Sequence, residues 1–132
     1  AVMGLPDIQP LFRAAYEMVK PDGVFVFSAT HPCFQTPGRS FTEDGTGLIT
    51  YDYIEPQRYS YQILADNEKN ACHWHRSLQD LLGICFSTGF MMDGLEEPVY
   101  APGECTHSVW TKVPLPIVVR LRKVQGGNTK CN

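Results

Sequence analysis

The side chains in this sequence that can move a proton, hold an anion or ligate a metal fall into three clusters: His31 and Cys33; Cys72, His73, His75 and Arg76; and Cys105 and His107. The first closes "FVFSATHPCF", where the apolar run Phe25 to Phe27 empties into His31-Pro32-Cys33. An imidazole titrates near neutrality, so His31 at a strand end can act as a base or orient an acceptor, and Pro32 stiffens the exit. The other reading is that His31 merely caps the strand. In "CHWHRSLQD" the residues His73, His75 and Arg76 stand just before a helix, where they either face the same rim or hold the helix entrance by hydrogen bonds. Tyr51, Tyr53, Tyr59 and Tyr61 supply amphipathic rings that either pack a small sheet or act as lid residues. Although the three clusters together offer soft ligands, none has the pairing of structural zinc sites, with about two to four residues between cysteines, and no metal is expected. There is no GxxxxGK[ST] phosphate loop, no G-x-S-x-G elbow and no strand followed by G-x-G-x-x-G, and Gly45-Thr46-Gly47 reads as a turn. Nothing specifies covalent catalysis.

What must position these residues is one modest domain. The chain has 132 residues with 43% hydrophobic content, enough for one core and too short for two. Eleven basic against 14 acidic side chains give a net charge of −3 with no Lys/Arg stripe, which speaks against a nucleic-acid partner. No stretch reaches the roughly 20 apolar residues of a membrane span, and no signal-peptide pattern opens the chain. Five cysteines at irregular spacing do not form a disulfide framework, so the expectation is a soluble, cytoplasmic protein with reduced thiols. Ala1-Val2-Met3 opens without a capping signal and reads as the end of a strand.

Asp7 as N-cap, Pro10 in the first turn, and Ile8, Leu11, Phe12, Ala15 and Val19 on one face predict a helix over residues 8–20. Lys20-Pro21-Asp22-Gly23 ends it in a turn. Val24 to Phe27 run apolar without alternation, which predicts a strand covered by helices on both sides. From Gln35 to about Asn70 the composition shifts to Gly, Pro, Thr and Tyr, a long insertion in which "LITYDYIEPQRYSYQI" reads as a hairpin about Glu55-Pro56-Gln57. Ser77 and Asp80 open a second helix that closes at Gly89. Strands follow over residues 90–97 and 117–124, the second alternating Val119 and Leu121 with Arg120 and Arg122, and the tail from Gln125 is expected to be mobile.

Taken together, "LPDIQPLFRAAYEMVKPDGVFVFSATHPCF" and "HWHRSLQDLLGICFSTGFMMDGLEEP" resemble the second half of a class I S-adenosylmethionine-dependent methyltransferase of the small-molecule type. The resemblance covers roughly residues 1–34 and 72–124 and rests on Lys20-Pro21-Asp22-Gly23, His31-Pro32, His75-Arg76-Ser77-Leu78, Gly89-Phe90 and Glu97-Pro98. The family's Pro-Gly turn is Pro-Asp-Gly here. Its Gly-rich loop and its acidic strand end, which hold the cofactor's methionine and ribose, have no counterpart in these residues. The resemblance implies an α/β fold comprising the C-terminal half of a Rossmann-like methyltransferase sheet, mixed with an antiparallel last strand, plus a tyrosine-rich cap at about 35–70, all in one domain. It further implies S-adenosylmethionine as cofactor in the full-length protein, with Met3, Gly4 and Leu5 beside it, and methyl transfer to a small-molecule substrate. His31 would act as base or acceptor-orienting residue, and Tyr51, Tyr53, His75 and Arg76 would contact substrate near the cap. The fragment alone would be inactive and would self-associate through the exposed edge of its half-sheet. A free-standing module that binds a small ligand without catalysis is the alternative.

Overall fold

The computed structural model of the chain describes residues 2–62 and 70–124; the tail from Gln125 lies outside the described residues. Helices α1 (Gln9–Met18) and α2 (Leu78–Thr88) accompany seven strands: β1 (Val24–Thr30), β2 (Ser40–Phe41), β3 (Leu48–Ile49), β4 (Gln57–Gln62), β5 (Asn70–His75), β6 (Met91–Glu96) and β7 (Pro116–Arg122). The opening differs from expectation. Val2–Gly4 form a 3-10 turn with Val2 and Met3 buried, and the backbone bonds locally rather than to the strands packed against it, Leu5 N–H to Val2 C=O at 3.4 Å.

Helix α1 starts one residue later than the cap pattern places it. The Asp7 carboxylate accepts the Gln9 amide at 2.9 Å, while Ile8 occupies the capping position and is fully buried. After the last turn Asp22 takes the left-handed conformation at φ 63°, and the Gly23 amide bonds the Lys20 carbonyl at 2.8 Å. Glycine is needed at 23 for closeness, since a Cβ there would sit 2.8 Å from that same carbonyl oxygen. Helix α2 matches its sequence signals at both ends. Ser77 Oγ accepts the Asp80 amide at 3.2 Å, and Gly89 at φ 114° returns its amide to the Cys85 and Phe86 carbonyls.

The main sheet has the order β1-β7-β6 with both pairings antiparallel. Ile117, Val119 and Leu121 of β7 are buried as their alternation requires, while Arg120 and Arg122 point away. A bulge between Met92 and Gly94 turns Asp93 towards both arginines, whose Nε atoms each donate to one carboxylate oxygen at 2.7 Å. These bonds, Arg120's first, hold the Asp93 carboxyl below the usual range.

Two expectations need correction. Strand β1 is covered on one side only: Phe27 and Ala29 are buried and Phe25 packs on the core, yet Val24 and Val26 are 44% and 53% exposed. Both described helices lie on the same face, and the apolar run hid an alternation that only burial reveals. The hairpin about Pro56 does not form either. Residues 50–56 are not strand, and β4 pairs instead with β5, Tyr59 opposite His73, while β2 pairs with β3. Pro56 carries no amide to donate and Asp52 takes φ 53°, so the segment before β4 cannot keep a ladder, and the Tyr59/Tyr61 alternation finds its partner downstream.

The core gathers Ile8 from the cap of α1, Phe12 and Ala15 from α1, Leu81 and Cys85 from α2, and the inner residues of β1 and β7. Phe12 meets Phe25 and Phe27 edge to face with centroids 6.0 and 5.2 Å away. Burial pushes the Cys85 thiol up to about 12. Among the described residues no helix is long and apolar enough to cross a membrane. Phe12→Ala, which empties the centre of this cluster, is expected to cost about 3–5 kcal/mol in urea unfolding, against less than about 0.5 kcal/mol for Val26→Thr on the open face.

Candidate functional site

The carboxyl end of β1 is where chemistry concentrates. His31 continues the β1–β7 ladder by one bond, its amide to the Leu115 carbonyl at 2.8 Å, and the chain then turns as Phe34 and Gln35 amides return to the His31 carbonyl. Its ring is 2% exposed. Nδ1 accepts the Cys33 amide at 3.2 Å, so Nε2 carries the proton and donates to Glu97 Oε1 at 2.6 Å. Both nitrogens are engaged, and the ring ties the end of β1 to the residue after β6.

The other sequence candidates are placed as follows. His75 Nε2 donates to the Tyr53 carbonyl at 2.6 Å, leaving its Nδ1 lone pair buried without a partner among the described residues. The Tyr53 hydroxyl accepts the Leu78 amide at 2.9 Å, one of the free N–H groups at the start of α2, and burial raises the phenol above its ordinary range. Tyr51 is 51% exposed and packs beside Gly38. Arg76, 7% exposed, donates to the carbonyls of Leu5, Pro6 and Trp74, fastening the segment before α1 to the end of β5. Among the described residues no three His, Cys, Asp or Glu side chains converge as a metal set, and Cys33, Cys72, Cys85 and Cys105 are free thiols.

A different group, only partly visible in the sequence, lines two adjoining cavities. One, of about 240 Å³, is walled by Thr30, Gln35, Thr36, Arg39, Tyr59, Tyr61 and His73 with Pro37 and Ser60. The other, of about 210 Å³, shares Thr30, Tyr61 and His73 and adds Met3, Gly4 and Cys72. Two of the three residues expected beside a cofactor thus line it; Leu5 instead gives its carbonyl to Arg76. His73 is 4% exposed, its ring 4.8 Å from Tyr59 and 5.9 Å from Tyr61. Burial, reinforced by the charges of His75 and Arg76, holds its pKa down to about 4, so the imidazole is neutral at physiological pH. Burial likewise pushes Tyr59 up to about 12 against the opposing charge of Arg39. His73 Nε2, Thr30 Oγ1 and Gln35 Nε2 are buried with no hydrogen-bond partner among the described residues. Three such atoms around one cavity are unusual, because buried polar groups are nearly always paired.

No family model and no curated protein matches the chain. Solved structures do. A protein from Listeria monocytogenes assigned as an S-adenosylmethionine-dependent methyltransferase superposes with a TM-score of 0.77 at 21% identity, covering 95% of this chain and 58% of that one. An S-adenosylmethionine-dependent methyltransferase from Mesorhizobium loti gives 0.73 at 23% identity, covering 92% of this chain and 58% of its own. This chain has the fold of part of a class I methyltransferase. It spans 58% of the length of each neighbour, consistent with a C-terminal half. The methyltransferase fold accounts for the sheet: β7 lies antiparallel between β1 and β6, the antiparallel last strand the sequence resemblance implies.

Of the residues around the cavities, the sequence singled out His73 and the tyrosines without choosing His73, and it passed over Thr30, Gln35 and Arg39. Position 73 shares strand parity with His75, which is the signal that both face inwards. The depressed pKa of His73 has a consequence for stability. With a folded value near 4 and an unfolded value near 6.5, its contribution is fully present above about pH 6.5 and is lost as pH falls through about 4. Unfolding free energy is expected to fall with pH across that window in the wild type and to fall less steeply in His73→Gln, as measured by urea titration at each pH.

Proposed function

We propose that in the full-length protein this chain forms the acceptor side of an S-adenosylmethionine-dependent methyltransferase acting on a small molecule, and that the chain alone does not turn over. The observation that carries this reading is that Thr30 and His73, each with a buried polar atom lacking a partner among the described residues, line a cavity together with Met3 and Gly4. Met3 and the small residue Gly4 leave room there for a cofactor's reacting end, so these residues fit the group. The cofactor, when bound, supplies an electrophilic methyl on a sulfonium, so the protein needs no nucleophile and mainly aligns the partners.

In this reading neutral His73 accepts a hydrogen bond from the acceptor's O–H or N–H and Thr30 fixes its angle. His31, with both nitrogens engaged, serves as a positioning residue that locks the strand end carrying Thr30. Arg76 and Tyr53 hold the cap to α1 and α2, and Tyr59 and Tyr61 close the wall over His73.

The test is release of S-adenosylhomocysteine by the full-length protein supplied with S-adenosylmethionine and a panel of small acceptors. Turnover that falls about 10²-fold or more in His73→Ala and Thr30→Ala is expected; no release with any acceptor overturns the reading. Ligand binding at the cavity with no affinity for S-adenosylhomocysteine would favour the binding-module alternative.

The open face of the sheet belongs to the same reading. Val24 and Val26 are exposed and β1 has no neighbour on its outer edge among the described residues, a surface that favours association. The isolated chain is expected to show a sedimentation-average mass that rises with concentration; a concentration-independent monomer contradicts this.

A further inference from the structure

The least compensated charge at the cavity belongs to Arg39. Its guanidinium is held over the rings of Phe41 and Trp110 at 5.5 and 5.2 Å, and its side chain makes no ion pair or hydrogen bond with another described residue. Stacking offsets part of the cost of drawing this half-buried cation from water, and its N–H donors, still open to solvent, are free to meet a ligand. Desolvation already lowers its affinity for the proton. Beside it Gln35 presents a buried amide nitrogen without an acceptor, and the Tyr59 hydroxyl, which donates to the Gln35 carbonyl at 3.2 Å, can still accept. Donors outnumber acceptors at this end of the cavity.

We infer that this cavity takes an acceptor bearing a carboxylate, whose anionic end lies against Arg39 and Gln35 and whose nucleophilic end lies towards Thr30 and His73. The inference rests on the methyl-transfer reading above and names its substrate class. The polarity follows from which residues the cavities share: Arg39, Gln35, Thr36 and Tyr59 line only the larger one, whereas Thr30 and His73 also line the one beside Met3 and Gly4. An acceptor anchored at the Arg39 end therefore presents its far end where the methyl group would arrive. A volume of about 240 Å³ leaves room for a molecule of single-ring size. A planar guanidinium can meet a carboxylate with two parallel bonds, which fixes orientation as well as affinity.

The experiment compares 4-hydroxybenzoate with 4-hydroxybenzamide, which match in shape and differ in charge, by calorimetric titration of the 132-residue chain. The carboxylate is expected to bind about tenfold or more tightly than the amide, with the preference abolished in Arg39→Met and partly restored in Arg39→Lys. Equal binding of the two probes, binding of neither, or a preference that survives Arg39→Met overturns the inference, and the first two outcomes need no variant to fold. S-adenosylhomocysteine binding is measured separately on the full-length protein. A carboxylate preference without it leaves the anion site standing and removes the methyl-transfer reading. Its presence without a carboxylate preference removes only the substrate class.

Discussion

The antiparallel pairing of β1 with β7 is the constraint on which the rest depends. It joins residues far apart in the chain, Val24 to Arg122 and Thr30 to Pro116, and the amide of His31 extends it by one bond to Leu115. Because β1 ends where that ladder ends, the pairing fixes the place at which the chain leaves the sheet for the cap. His31 then adds a lateral tie through Glu97, so the ends of β1 and β6 are held across the strand between them. Closing so long a loop is entropically costly, and the buried faces of Phe27, Ala29, Ile117, Val119 and Leu121 provide the apolar burial that offsets it.

The cap has little apolar core of its own, and its order comes from polar ties to the sheet domain. Arg76 reaches back to the carbonyls at Leu5 and Pro6, Tyr53 takes an amide from the first turn of α2, and His75 holds the Tyr53 backbone. The two Tyr53 bonds join the insertion to β5 and α2, and Arg76 ties the end of β5 to the segment before α1. A buried guanidinium spent on backbone carbonyls keeps its charge without an ion pair, and that charge helps keep His73 neutral. The structural residues of the cap and the state of the candidate site are therefore coupled through electrostatics, not only through geometry.

This division explains what the sequence discloses. Helix α2 is legible to the residue because Ser77, Asp80 and Gly89 act within a single turn of the atoms they satisfy. The inward residues of β7 are legible for a similar reason, since Val119 and Leu121 alternate with arginines that cannot be buried alone. The pairing of β4 with β5 is not legible, because nothing local to Tyr59 says that its partner is His73 rather than a residue before Pro56. Nor does an unbroken run such as Val24 to Phe27 say how many of its faces are covered. The site suffered from the same blindness. His31, His73 and His75 look equivalent in the sequence, and what separates them is that Glu97, Cys33 and Tyr53 engage two of the rings and leave Nε2 of the third unpartnered.

Position 30 shows how one strand serves both packing and chemistry. Val24, Val26, Ser28 and Thr30 share a face of β1, and the first three meet solvent while the Thr30 hydroxyl is buried. The cap covers only the last rung of that face, and there the side chain changes from apolar to polar. A valine at 30 would fill the space equally well and leave His73 facing a methyl group; threonine gives it a hydroxyl that can donate or accept. The shallow groove over the open part of the sheet, lined by Val26, Leu95, Val118 and Arg120, shares no residue with the cavity. Whatever covers the open face can therefore leave the cavity walls intact, and one strand carries an exposed apolar face at one end and a polar cavity wall at the other.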